Sequence, residues 1–71
     1  MMPITFASPG DVVSVKKISG NDEMRLHLAK LGFVVGEKVR IISKVAGDSL
    51  IIQVMDSRIA LDKSMANRIM I

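Results

Sequence analysis

The absence of cysteine is the feature that most constrains the fold of this 71-residue chain. Chains below ~80 residues often rely on disulfides or a structural metal, because one small core supplies only ~3–5 kcal/mol of stability. Without thiols, this chain can form neither a disulfide framework nor a thiolate-ligated zinc or iron–sulfur site. Its stability must come from a packed aliphatic core, since it has two Phe and neither Tyr nor Trp.

The sequence offers no constellation of reactive side chains. It has one histidine, His27, and its adjacent carboxylates, Asp22 and Glu23, point apart on a helix and so are poorly placed to share a proton or a cation. No glycine-rich loop leads from a strand into a helix, so no phosphate cradle is predicted. We therefore expect a protein that is not an enzyme, with no catalytic residues, no cofactor and no metal site.

The charge of the chain is basic but dilute. Ten Lys and Arg against seven Asp and Glu give a net charge of +3, which suits an acidic partner or the neighbourhood of an anionic membrane. Barrels that bind single-stranded nucleic acid usually expose aromatic side chains, whereas Phe6 and Phe33 are both predicted to be core residues. Residues 1–7 are too short for a signal peptide, and no apolar run approaches the ~18 residues of a membrane span. The expected location is the cytoplasm.

Short β-branched runs separated by turn residues predict a mainly β fold of about five strands. The predicted strands are Val12–Ile18, Val39–Val45, Leu50–Met55, Arg58–Leu61 and Ile69–Ile71. The predicted turns are Val35–Gly36, with Gly36 at positive φ, then 46–49 and Asp56–Ser57. Val13 and Val15 share a face of the first strand, and a bulge near Lys16–Lys17 would return Ile18 to it. Strands this short, joined by tight turns, close most economically as a small barrel.

One α-helix, Asp22–Leu31, is predicted between the first and second strands. Asn21 can cap its first turn, and Gly32 lies where helices commonly end. A second, short helical turn before the last strand, Lys63–Asn67, is predicted to be capped by Asp62. Met24, Leu28 and Leu31 follow at i, i+4 and i+7 of the first helix and form its core-facing stripe.

Leu26 lies roughly opposite that stripe on a helical wheel. Ala29 lies beside it, and Arg25 and Lys30 flank it, so that an apolar centre has a basic rim, as in many protein interfaces. We therefore predict a partner-binding face made of Leu26, Arg25, Ala29 and Lys30. The alternatives are that Leu26 is exposed without a role, contacts the C-terminal segment, or packs near Ile4 or Phe6 at the N-terminus.

Glycine, proline and apolar residues at a fixed set of spacings, over some sixty residues, match the pattern of a known protein family. These positions are Pro9-Gly10, Leu28-x-x-Leu31-Gly32-Phe33, Gly36, Val39, Gly47-Asp48, Leu50, Ile52, Val54, Ala60-Leu61, Ala66, Ile69 and Ile71. In this register the chain resembles the ferrous iron transport protein A (FeoA) family over almost its full length. The chain departs from the family pattern at three positions. Val35 and Ser49 stand where proline is usual, and Asp62 stands where arginine is usual.

The resemblance implies a single FeoA-like domain, residues 1–71, with an SH3-like barrel fold. It implies a cytosolic accessory protein of bacterial ferrous iron uptake that binds and modulates a membrane Fe(II) transporter carrying a G-protein domain. Such a protein would reach the membrane through its partner, without inserting itself, and self-association remains open. The matching positions are structural, so no catalytic residue is carried over.

Two other functions remain open from the sequence. The chain could be a small nucleic-acid-binding barrel, or a stand-alone relative of the SH3-like domain of iron-dependent repressors. It contains no winged-helix segment, so it would not bind operator DNA by itself in the manner of those repressors.

Overall fold

Six short strands, two helices and one 3-10 turn make up the computed structural model, which describes residues 1–45 and 49–71. The strands are β1 (Val12–Ser14), β2 (Lys17–Ile18), β3 (Lys38–Val45), β4 (Ser49–Val54), β5 (Ser57–Asp62) and β6 (Ile69–Met70). The helices are α1 (Asp22–Lys30) and α2 (Lys63–Ala66), and the 3-10 turn is Ile4–Phe6. The mainly β architecture and both helical positions agree with the sequence prediction.

The strands form two antiparallel sheets. One contains four strands in the order β1-β3-β4-β5, and the other pairs β2 with β6. In β4, residues alternate strictly between half-buried and buried positions, as expected for a strand with one face on the core. The register of β3 against β4 shifts between Ile41 and Ser43, which marks a bulge in the longest strand.

The core lies between the two sheets and the inner side of α1, and it is entirely apolar. Its buried members in the described residues are Ile4, Ala7, Val15, Leu28, Phe33, Val39, Ile41, Leu50, Ile52, Val54, Leu61, Ala66, Ile69 and Ile71. Phe33 is fully buried, which confirms its predicted place. The stripe of α1 is also confirmed, with Leu28 buried and Met24 and Leu31 packed against the core.

The prediction of one continuous first strand, Val12–Ile18, was wrong. The chain leaves the four-stranded sheet at Val15 and enters the two-stranded sheet at Lys17, so there is a corner where a bulge was expected. The corner is fixed by two hydrogen bonds, from the Val15 amide to the Glu37 carbonyl (2.9 Å) and from the Lys16 amide to the Met70 carbonyl (2.8 Å). Six strands result instead of five.

The prediction that Phe6 is a core residue was wrong, since its side chain is 69% exposed. It lies in the 3-10 turn, where side chains three positions apart eclipse each other. Ile4 and Ala7 are therefore the pair that this segment buries, and Phe6 points outward.

The predicted turns and caps are largely confirmed. Gly36 has φ +94°, and the Asp62 side chain accepts a hydrogen bond from the Met65 amide (2.8 Å) at the start of α2. The last hairpin turns at Met55–Asp56, one residue before the predicted turn, and Met55 takes φ +53°. Of the predicted loop 46–49, residues 46–48 lie outside the described residues and Ser49 begins β4. No helix in the described ranges is both long and apolar enough to cross a bilayer.

Candidate partner-binding surface

Helix α1 is fixed at both ends by its own sequence. At the start, the Asn21 side chain accepts a hydrogen bond from the Met24 amide (2.8 Å). At the end, the amide of Gly32 donates to the Ala29 carbonyl (3.0 Å) and that of Phe33 donates to the Leu28 carbonyl (3.0 Å). With Gly32 at φ +105°, these two bonds form a Schellman motif. Both ends of the helix are therefore capped by hydrogen bonds.

A tight turn follows the helix and is tied to the corner between β1 and β2. The Glu37 amide donates to the Val34 carbonyl (3.0 Å), and Gly36 at positive φ occupies the third position, as in a type II turn. The Gly36 amide donates to the Val15 carbonyl (2.8 Å). This bond places Val34 and Val35 beside the β1–β2 corner.

The outer side of α1 presents all four residues of the predicted partner face as exposed side chains. Leu26 is 58% exposed, so it does not belong to the core near Ile4. Arg25 forms an ion pair with Asp22 one turn earlier, at 3.7 Å between exposed groups, and a pair of this kind contributes little to stability. The role of this face in binding stays a prediction.

Beside Leu26 lies an open groove of about 530 Å³, which we call the α1 groove. It is lined by α1, the β1–β2 corner and the turn that follows the helix, through Lys16, Lys17, Ile18, Asp22, Arg25, Leu26, Ala29, Phe33, Val34 and Val35. Val34 and Val35 are 41% and 68% exposed. The groove is thus lined by exposed apolar side chains together with three cationic side chains, Lys16, Lys17 and Arg25, and one carboxylate, Asp22.

The other three residues of the predicted partner face lie on two different sides of Leu26. Arg25 and Ala29 line the α1 groove, whereas Lys30 lies on the opposite side of Leu26. Sequence reasoning missed the contribution of Val34 and Val35. The available signal was a pair of adjacent β-branched apolar residues in a turn, where polar residues are more usual.

The opposite side of Leu26 is a second open groove, of about 630 Å³, with a mixed lining. It contains Glu23 and His27, one turn apart on α1, together with Met24, Met65 and Lys30. Among the residues that the structure describes, no three His, Asp or Glu side chains come together in a way that could hold a metal ion. The apolar and cationic lining makes the α1 groove the better candidate for a protein partner.

Comparison with known proteins identifies the family. The family model described as the FeoA domain matches residues 2–71. A relative from Methanocaldococcus jannaschii, named as an Fe(2+) transport protein A, is 34% identical over 71 residues, which cover all of this chain and 85% of the relative.

Solved structures confirm the fold. FeoA of Stenotrophomonas maltophilia, solved in complex with zinc and described as a prokaryotic SH3 domain protein, superimposes with a TM-score of 0.83 at 32% identity, covering 99% of this chain and 88% of that one. A manganese-dependent transcriptional repressor has a TM-score of 0.86 at 17% identity, over 94% of this chain and 38% of its own. The repressor therefore shares the fold alone, while the family match and the two closer likenesses establish that this chain belongs to the FeoA family, which is associated with ferrous iron transport.

Proposed function

We propose that this chain is a cytosolic accessory protein of ferrous iron uptake that acts by binding, without catalysis. Its partner is the cytosolic region of a membrane ferrous iron transporter that carries a G-protein domain. Family membership supports the link to iron transport. The observation that carries the binding proposal is Leu26, 58% exposed on a helix capped at both ends, beside the α1 groove.

Leu26 is suited to be the anchor of the interface. Because α1 is already ordered by its caps, little conformational entropy is lost when a partner covers it. An apolar side chain buried at the centre of an interface contributes ~1–3 kcal/mol when truncated. The exposed Val34 and Val35 extend the apolar contact along the groove.

The cationic side chains around the groove select an acidic partner surface. Lys16 and Lys17 lie at one wall of the groove, and Lys30 lies beyond Leu26. Charges at the rim of an interface mainly speed and orient association, and added salt weakens this effect. We therefore expect the association rate to fall with ionic strength, while the contact of Leu26 governs the lifetime of the complex.

The decisive experiment compares Leu26→Gln with Val12→Gln in binding to the detergent-solubilised transporter. Val12 is 53% exposed and lies among Glu37, Lys38 and Arg40, so it is a matched control for lost apolar surface. Leu26→Gln should keep the wild-type melting temperature and bind ~5- to ~150-fold more weakly, the equivalent of ~1–3 kcal/mol. It should also fail to support iron uptake in cells, whereas Val12→Gln should behave as wild type.

Two results would contradict the proposal. Full binding by a stably folded Leu26→Gln variant would remove the α1 groove from the interface. Salt-dependent binding of a random oligonucleotide at least as tight as transporter binding would favour the nucleic-acid function instead.

A further inference from the structure

Strand β5 ends the sheet order β1-β3-β4-β5, and within residues 1–45 and 49–71 no further strand pairs with its outer side. The hairpin closes on the pair Val54 and Ser57, and hydrogen-bonded pairs alternate along an antiparallel ladder. Ser57, Ile59 and Leu61 therefore bond to β4. The intervening residues of β5 direct their N–H and C=O groups away from the sheet, and the carbonyl of the last one, Asp62, serves the first turn of α2.

Those outward residues are Arg58, Ala60 and Asp62, and all three are exposed. Natural proteins usually protect an edge with a proline, a bulge or a lysine at its middle. The residue at the middle of this edge is Ala60, whose side chain is smaller than that of any other residue except glycine. Opposite charges lie two residues away on either side, Arg58 before it and Asp62 after it.

This edge is complementary to itself in one antiparallel register. When Ala60 faces Ala60 of a second copy, Arg58 of each copy faces Asp62 of the other. The two Ala60 residues exchange both main-chain hydrogen bonds, and the Asp62 amide of each copy donates to the Arg58 carbonyl of the other, since the Asp62 carbonyl already serves α2. A register centred on Arg58 or on Asp62 would bring like charges together. A register centred on Ile59 would place Arg58 opposite Ala60 and use fewer of the outward groups.

The side chains around this two-fold centre also match. Ile51 of β4 is the cross-strand neighbour of Ala60 and is half-buried on the outer face of the sheet. In the self-paired register, Ile51 and Ala60 of both copies would form an apolar strip flanked by two ion pairs. Asp62 can take part, since its cap contacts with Ser64 and Met65 both use the Oδ1 atom and leave Oδ2 available.

We propose that two copies of this chain associate through antiparallel pairing of β5, which joins their four-stranded sheets into one eight-stranded sheet. Because the contact is confined to one strand edge and one apolar strip, it is smaller than a standard interface, and the dimer is transient. The surface lies on β5, apart from the residues of the α1 groove. A copy in the dimer therefore keeps that groove available, and this inference does not depend on the proposed function.

A single introduced cysteine tests the register directly, because the native chain has no thiol. In a hydrogen-bonded antiparallel pair the Cα atoms lie about 5.5 Å apart, inside the window of about 4.4–6.8 Å that a disulfide spans. Ala60→Cys should therefore cross-link to itself under mild oxidation. Ser57→Cys is the matched control on the same strand, because its two copies would lie roughly 20 Å apart at ~3.3 Å per residue.

The expected result is that Ala60→Cys forms covalent dimers at least about tenfold faster than Ser57→Cys, owing to the higher effective concentration of paired thiols. Adding Arg58→Glu, which sets two carboxylates opposite each other, should reduce the rate to that of the control. Adding Arg40→Glu makes the same charge change on another exposed strand position, and it should leave the rate unchanged.

Sedimentation of the native chain supplies a readout without cysteine. Between about 10 µM and about 1 mM, the weight-average mass should rise for the native chain and for Arg40→Glu, and stay monomeric for Arg58→Glu. Equal cross-linking rates for Ala60→Cys and Ser57→Cys, or a mass that does not depend on Arg58, would overturn the proposal.

Discussion

Replacing Gly32 by alanine should destabilise this chain more than replacing Gly36, although both glycines have similar backbone conformations. Their φ angles are +105° and +94°, a region that L side chains rarely adopt. A Cβ at Gly36 would meet no atom within 4 Å, whereas a Cβ at Gly32 would lie 3.1 Å from Cγ2 of Val54. Gly36→Ala therefore measures the backbone cost alone, and Gly32→Ala adds a steric cost.

The two costs can be estimated separately. A left-handed backbone costs a non-glycine residue ~1–2 kcal/mol, and we expect a loss of this size for Gly36→Ala. Overpacking a well-filled core costs a further ~1–3 kcal/mol, and Val54 is fully buried with little room to move. Gly32→Ala should therefore consume most of the ~3–5 kcal/mol that a domain of this size possesses.

The assay is urea denaturation followed by far-ultraviolet circular dichroism, since the chain has neither Trp nor Tyr for fluorescence. A sulfate buffer, which strengthens apolar burial, keeps the weaker variants folded at the start of the titration. Val54→Ala removes the obstructing methyl groups, so its combination with Gly32→Ala should lose less stability than the sum of the single changes by ~0.5–3 kcal/mol. The combination of Val54→Ala with Gly36→Ala should be additive.

Equal losses for the two glycine variants would show that Val54 yields to the new Cβ at no cost and would refute the steric argument. An unchanged midpoint for Gly36→Ala would refute the backbone argument for the turn.

Three further changes have expected outcomes. Val35→Pro should leave the melting temperature unchanged or raise it. Val35 is the second residue of the type II turn, where proline is favoured, and no described residue accepts a hydrogen bond from its amide. A lower melting temperature would contradict this expectation. Met55→Gly should stabilise the chain by about 0.5–1 kcal/mol in the same urea titration by relieving the strain of φ +53°. Hydrogen bonds from the Met65 amide and the Ser64 side chain lower the pKa of Asp62 in the folded chain. The stability that the Asp62 cap contributes is therefore fully present above the pKa of Asp62 in the unfolded chain, and it is lost as pH falls through the lower pKa of the folded chain. Below about pH 4 the native chain should lose stability more steeply than Asp62→Asn, which keeps a capping oxygen at every pH, and parallel melting curves would sink this reasoning.

Local signals predicted the elements that are determined locally. Helix α1 could be predicted from Asn21, Gly32 and its apolar stripe, all within a dozen residues. The division of Val12–Ile18 could not, because it depends on hydrogen bonds to Glu37 and Met70, which are distant in the sequence. The position of Phe6 likewise depends on a 3-10 turn for which an apolar segment gives no signal.

The candidate surface shows the same limit. Leu26 stands out in the sequence because the periodicity of one helix assigns it to the side opposite the core. The α1 groove does not stand out, because Lys17 and Val35 reach it from separate parts of the chain through contacts that only the folded barrel creates. Helical periodicity thus identifies an anchor residue, and tertiary structure is needed to define the surface around it.

The pairing of residues 2 and 3 with residues 70 and 71 has a consequence for synthesis on the ribosome. Main-chain hydrogen bonds join Met2 to Ile71 in both directions, at 3.0 and 2.8 Å, and Pro3 pairs with Met70. Residues 2 and 3 therefore stay unpaired until residues 70 and 71 have been made, and pairings of such high sequence separation form slowly. Until those residues leave the exit tunnel, the β-prone segments that they complete stay unpaired and prone to aggregation, so a stall or truncation shortly before residue 70 should yield aggregated chain and not a slightly shortened barrel.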